Sequence, residues 1–148
     1  MSLTIIFEDE YIICAHKPNN MLVHHAHHSR NISDETSLLQ LIFEEKELKV
    51  YPIHRLDRKT SGIILLAKET TYVSKFQKLF TDNEINKTYF GIVRGFSPEK
   101  KVIDSPVKGR DASVHKTAVT HLKTISQITL DLPVKPYDSS RYSLVQLS

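Results

Sequence analysis

Apolar and polar positions change over in short blocks along most of this chain, a pattern that predicts strands more often than long helices. Ile5-Ile6-Phe7, Glu8-Asp9-Glu10 and Tyr11-Ile12-Ile13-Cys14-Ala15 read as two strands around a turn, together spanning Leu3 to Ala15. Lys17-Pro18-Asn19-Asn20 is a turn signal, because proline fixes φ and asparagine tolerates left-handed backbone. Met21-Leu22-Val23 resumes an extended apolar run. Thr36 or Ser37 can cap a helix running to about Lys46, with Leu38, Leu41 and Ile42 on one face. Tyr51 to His54 leads into a polar segment, and Thr60-Ser61-Gly62 punctuates the chain before a strand at Ile63–Ala67. Thr70 or Thr71 is predicted to cap a second helix, with Val73, Phe76, Leu79 and Phe80 as its apolar face and Asp82-Asn83 as its end. Thr88 to Val93 is β-branched and aromatic, hence a strand, closed by Gly95. Residues 97–117 are weakly periodic and predict loops with short strands. Val119–Leu122, Ile125–Leu132 and Tyr142–Leu147 are further strands, the last two parted by a loop around Pro133, Pro136 and Asp138-Ser139-Ser140. The sum is an α+β pattern with strands predominating, in one domain of 148 residues.

Composition narrows the class. No apolar run reaches transmembrane length, and the start lacks the charged-then-apolar layout of a signal peptide. Cys14 is the only cysteine, so no internal disulfide can form, which fits a reducing cytoplasm. Its apolar neighbours predict a buried, structural thiol. Net charge is only +3, but its distribution is uneven. Residues 1–53 carry 4 basic and 8 acidic side chains, residues 54–123 carry 14 and 7, and residues 124–148 carry 2 and 2. The basic excess therefore falls in the middle of the chain, where it suits a phosphate-bearing substrate.

That basic stretch opens with His54-Arg55-Leu56-Asp57-Arg58-Lys59-Thr60-Ser61-Gly62, followed by Ile63-Ile64-Leu65-Leu66-Ala67. An Asp beside fixed positive charge stays ionised at neutral pH and can serve as a nucleophile or base. Alone, an Arg-x-Asp-Arg string reads as a carboxylate salt-bridged to Arg55 or Arg58. The whole nine-residue string and the strand after it say more.

Here the chain resembles the RluA-type pseudouridine synthases, whose signature is similar to H-R-L-D-x-x-T-S-G before an apolar strand; His54 to Ala67 matches every signature position. Asp9 to Pro18, followed by Leu22-Val23-His24, is similar to the family's opening segment. Lys87-Thr88-Tyr89-Phe90-Gly91-Ile92-Val93-Arg94-Gly95 is similar to its K-x-Y segment. Ala118-Val119-Thr120-His121 and Ser140-Arg141-Tyr142-Ser143-Leu144-Val145 look like the branch called tRNA pseudouridine synthase C. The resemblance implies a pseudouridine synthase fold, a mixed and mainly antiparallel sheet with flanking helices and loops. It also implies a cofactor-free isomerase that breaks the N1–C1′ bond of a uridine in RNA, turns the base and rejoins it through C5.

By the same resemblance Asp57 is the nucleophile, adding to C6 of uracil or to the electron-poor C1′. Tyr89 lies beside the uracil ring, able to stack on it and to help remove the C5 proton. Arg55 contacts RNA and braces the vacated base stack, while His54 orients the motif loop. Arg58, Lys59 and Lys87 can bind phosphate, although each alone reads as an ordinary exposed cation. The RNA partner is tRNA, with ribosomal RNA as the alternative; no membrane partner is expected, and monomer is the default state.

Two features stand apart. His24-His25-Ala26-His27-His28 places 4 histidines in 5 positions, yet a set of further ligands is missing. A polar loop is the better reading, no metal is assigned, and a histidine-based metal-binding domain is the outlying alternative. Family members also continue beyond the strand matching Tyr142–Leu147 into a G-R-x-H-Q segment whose arginine pairs with the catalytic carboxylate. This chain does not contain that segment, so a truncated domain with little activity of its own is expected. A catalytically silent RNA-binding module is the competing reading from outside the enzymes.

Overall fold

The structure, a computed structural model, describes residues 3–25, 36–108 and 115–148. They form two compact units, residues 1–85 and 86–148. Among the described residues every strand pairing is antiparallel, and the architecture is α+β.

The first unit is a four-stranded sheet and two helices. Its strands are β1 (Thr4–Glu8), β2 (Ile12–Lys17), β3 (Tyr51–Pro52) and β4 (Gly62–Ala67), in the order β1-β2-β4-β3. Ile13 stands opposite Leu66, and Ala15 opposite Ile64. Strand periodicity puts these four on one face, where they are buried against Leu38 and Ile42 of helix α1 (Leu38–Lys46). Val23 and Val50 close this core. Cys14 is buried as expected, and desolvation raises its pKa, which leaves the thiol protonated and unreactive.

Helix α1 starts where the sequence placed it, and Ser37 is the cap. Its hydroxyl accepts from the Gln40 backbone N–H, and the Gln40 side chain accepts from the Ser37 N–H at 3.0 Å. Met21-Leu22-Val23 is not a strand. Its carbonyls serve the helix: Leu22 O accepts from Leu38 N at 2.9 Å and Val23 O from Leu39 N at 3.2 Å. The four free N–H groups of a helix start need such partners. Glu8 ties the unit together at its edge, pairing with Lys46 at 2.6 Å and Lys68 at 2.9 Å. Helix α2 (Thr70–Thr81) half-buries Val73, Phe76, Leu79 and Phe80, the predicted face. Its cap position is Glu69 rather than a threonine, and no side chain caps it.

The second unit holds a four-stranded sheet of order β5-β10-β9-β6 and a separate two-stranded ribbon. Its strands are β5 (Tyr89–Arg94), β6 (Lys100–Asp104), β9 (Val119–Leu130) and β10 (Ser140–Leu147). The ribbon pairs β7 (Val107–Lys108) with β8 (His115–Lys116). The two strands expected at Val119–Leu122 and Ile125–Leu132 are one continuous strand, β9. Lys123 and Thr124 pair in register with Gln146 and Val145, and the register shift between Leu144 and Val145 leaves Ile125 as the extra residue of a bulge, so the strand runs on through the polar step. Ser143 is fully buried and fixes the turn after β5. Its hydroxyl donates to Gly95 O at 2.8 Å and accepts from Ser97 N at 2.9 Å. Among the described residues no helix is long and apolar enough to cross a membrane.

Truncating Ile64 to Ala should destabilise the first unit by about 3 kcal/mol, because the residue is fully buried among α1 and β2. Ser37→Ala should cost about 1 kcal/mol by removing the cap. Urea unfolding followed by far-UV circular dichroism reads both, and a smaller loss for Ile64→Ala than for Ser37→Ala would contradict this core.

Candidate active site

The segment from Ile53 to Ser61 joins β3 to β4 across the end of the first sheet. It is pinned at its start by backbone and ring contacts. Ile53 is buried and its N–H donates to Leu65 O at 3.1 Å. The Leu65 N–H donates to Nε2 of His54 at 3.0 Å, so that nitrogen carries the lone pair. The His54 ring rests on Phe80 of α2 with centroids 4.9 Å apart. The His54 ring is thus held between the Leu65 N–H of β4 and Phe80 of α2.

Beyond His54 the chain turns. Asp57 O accepts from Thr60 N at 3.0 Å, which closes a tight turn over Arg58 and Lys59. Arg55, Asp57 and Lys59 are exposed. Among the described residues, Arg55 and Asp57 form no ion pair. Gly62 follows at φ 133°, a conformation that side-chain-bearing residues rarely adopt, and starts β4.

The turn is anchored from below by Lys17, whose role the sequence reading missed. Lys17 ends β2 and is 0% exposed. Its ammonium donates to three backbone carbonyls: Met21 at 2.9 Å, Pro18 at 3.0 Å and Arg58 at 3.2 Å. Two of those carbonyls belong to the Pro18–Met21 turn and one to the Asp57 turn, so one cation ties the two loops. Arg58 adds a second tie, its Nε donating to Asn20 Oδ1 at 2.9 Å. Burial pushes the Lys17 pKa down, and the nearby Asp57 carboxylate pushes it part of the way back. A signal for this was present. Ile13, Ala15 and Lys17 alternate along β2, so Lys17 shares the face that packs the core.

One loop therefore brings together His54, Arg55, Asp57 and Arg58. Tyr89 and Lys87 belong to the second unit. Tyr89 opens β5 opposite Leu147 and is 44% exposed, while Lys87 precedes the strand and is also exposed. Within the histidine run, His25 Nε2 lies 2.9 Å from Gln40 Oε1. His27 and His28 fall outside the described residues. Among the described residues, no group of three or more His, Cys, Asp or Glu side chains is placed to hold a metal.

Two predictions follow from the Lys17 anchor. In the pH range below the ordinary lysine value of 10.5, the unfolded chain keeps this proton more readily than the folded one. Its contribution to stability therefore rises with pH through that range. The unfolding free energy of the wild type relative to Lys17→Met should climb as pH is raised towards 10.5, and a flat difference would contradict the assignment. Asp57→Asn should destabilise the wild type more than it destabilises Lys17→Met, as a double-mutant cycle of urea midpoints would show.

Comparison with known proteins agrees with this fold. Residues 11–148 match the family described as RNA pseudouridylate synthase. The chain is similar to tRNA pseudouridine synthase C of Pasteurella multocida, 33% identical over 99% of this chain and 64% of that protein. It is likewise similar to the proteins of that name from Vibrio cholerae and Yersinia pestis, 29% and 30% identical over 98% of this chain. It spans 63% and 60% of their lengths, so less than two thirds of these curated relatives. Among solved structures, the fold is shared with human RNA Pseudouridylate Synthase Domain Containing 1, at TM-score 0.71 and 15% identity over 99% of this chain and 59% of the other. It is shared also with human RNA Pseudouridylate Synthase Domain Containing 4, at 0.66 and 23% over 97% and 57%. With an accessible carboxylate on an anchored turn, and a match that runs from Tyr11 to the last residue, this chain belongs to the RNA pseudouridylate synthase family.

Proposed function

We propose that this chain carries the nucleophile-bearing part of an enzyme that isomerises a uridine in RNA to pseudouridine, with tRNA as the substrate. The supporting observation is the exposed Asp57 side chain on a turn whose main chain is held by the buried Lys17. A nucleophile must be reachable and yet held in one place, and this arrangement meets both needs. The names of the relatives favour tRNA over ribosomal RNA.

In this reading the Asp57 carboxylate adds to C6 of the uracil or to C1′ of the ribose. The N1–C1′ bond breaks, the base turns, and a C5–C1′ bond forms. Loss of the C5 proton and protonation of N1 complete an isomerisation that needs no oxidant, reductant or cofactor. Tyr89 stacks on the base and assists departure of the C5 proton. Arg55, free to reach outward from the turn, braces the RNA around the extruded nucleotide. Lys87, Lys59 and the outer N–H groups of Arg58 meet phosphate oxygens. A buried lone cysteine suits work in a reducing cytoplasm.

Tritium release from tRNA carrying C5-tritiated uridine tests this, using the chain with whatever coding sequence flanks it. Asp57→Ala should release no tritium while still binding tRNA in a filter assay. Tyr89→Phe should slow release on the order of 10²- to 10⁴-fold if its hydroxyl moves the proton. RNA binding without tritium release from the wild type would replace the enzyme with a silent RNA-binding module.

A further inference from the structure

The end of the second sheet that lies away from Tyr89 holds a cleft of about 590 Å³, in the size range of pockets that take a small ligand. Arg94 closes β5 there, Arg141 stands near the start of β10, and Tyr137 and Asp138 come from the loop between β9 and β10. Arg94 pairs with Tyr142 and Tyr89 with Leu147, so the length of β5 separates this cleft from Tyr89, about 17 Å at the rise of a strand. Its walls are held by main-chain and hydroxyl bonds. Gly95 N donates to Arg141 O at 2.8 Å, and Val134 and Tyr137 exchange two backbone bonds of 3.0 and 2.9 Å. The buried Ser140 donates its hydroxyl to Leu132 O at 2.8 Å.

The charged groups of this cleft are not spent on holding it. Arg94 and Arg141 are both exposed. Among the described residues neither guanidinium has an ion-pair partner, although the Asp138 carboxylate lines the same cleft. The Arg141 guanidinium lies over the Phe96 ring, 5.4 Å from its centroid. Such stacking takes up the flat face of the group and leaves its N–H edge to donate. Two arginine forks suit phosphate oxygens. Tyr137 is 65% exposed, and an open tyrosine ring offers a face on which a base can stack. A carboxylate is wrong for a bare anion site. It suits a ligand that carries donors as well as phosphates, as a ribonucleotide does through its 2′-hydroxyl.

On the reading that the chain acts on RNA, we propose that this cleft is a second RNA-contact site, which grips an unstacked nucleotide of the substrate away from the uridine that is isomerised. Arg94 and Arg141 hold the flanking phosphates, the Tyr137 ring stacks on the base, and Asp138 accepts from the ribose 2′-hydroxyl. A contact that far from Tyr89 adds affinity and sets the register of the RNA without entering the chemistry.

Fluorescence anisotropy of the full 148-residue chain with labelled oligoadenylate, an RNA that offers no uridine, tests this over a series of salt concentrations. Tyr137→Ala should weaken binding on the order of 10-fold. Joint replacement of Arg94 and Arg141 by Gln should lower the slope of log affinity against log salt by about 1.4, the share of two phosphate contacts on a single strand. Oligodeoxyadenylate should bind more weakly than the RNA, and Asp138→Ala should narrow that difference. All four substituted positions are exposed, and thermal melts verify that the variants fold. Wild-type affinity in the Tyr137 and arginine variants would overturn the site, as would equal affinity for the DNA or no binding of oligoadenylate at all. An equal loss of slope from joint Lys75→Gln and Lys78→Gln on α2 would reduce the effect to general charge and overturn it too. Tritium release from tRNA is read in parallel. Release by a chain whose oligoadenylate binding ignores the cleft substitutions removes this site and keeps the isomerase; no release from a chain whose binding obeys them does the reverse.

Discussion

A lysine ammonium without access to water can be kept in a folded chain only where oxygen atoms replace its hydration shell. Lys17 meets that condition with three backbone carbonyls, one for each of its protons. The constraint runs both ways. The cation needs those carbonyls in place, so the Pro18–Met21 turn and the Asp57 turn cannot drift apart while it stays buried. Because the acceptors are main-chain atoms, the side chains of the turn are not spent on holding it. Arg55, Asp57 and Lys59 remain exposed above a main chain fixed from beneath.

Much of this was legible in the residues. The apolar blocks located most strands and both helices, since burial and periodicity are local properties of the sequence. The His54–Gly62 string located the loop that carries Asp57. What the sequence hid are places where a polar group serves a distant partner. Met21-Leu22-Val23 has a strand's composition, but its carbonyls are used to start α1, as Leu38 and Leu39 show. Thr71 reads as a helix cap, yet its hydroxyl donates to the Glu69 carboxylate at 3.2 Å. Lys123-Thr124 reads as a strand end, but Thr124 donates its hydroxyl to Pro98 O at 2.7 Å and β9 continues.

Lys17 is the instructive failure. Its neighbour Pro18 marks a turn, and a lysine in a turn is ordinarily a solvated charge. The alternation Ile13, Ala15, Lys17 contradicts that expectation, because a strand cannot reverse its faces at the last residue without a bulge. A charged residue in phase with a buried stripe should be read as an anchor in search of acceptors. The acceptor from Arg58 lies 41 residues away, which is why no local pattern announces it.

The same cation bears on how the proposed reaction can turn over. A carboxylate that attacks uridine must also leave, and an ester-like adduct at Asp57 would no longer carry charge. While the adduct lasts, Lys17 loses the negative field that supports its protonated form. Expelling the carboxylate restores that field. In the proposed reaction the free carboxylate and the adduct therefore differ in the field that they present to the one buried cation tying the two loops together, so the anchor of the turn and its exposed side chain are electrostatically linked through Lys17.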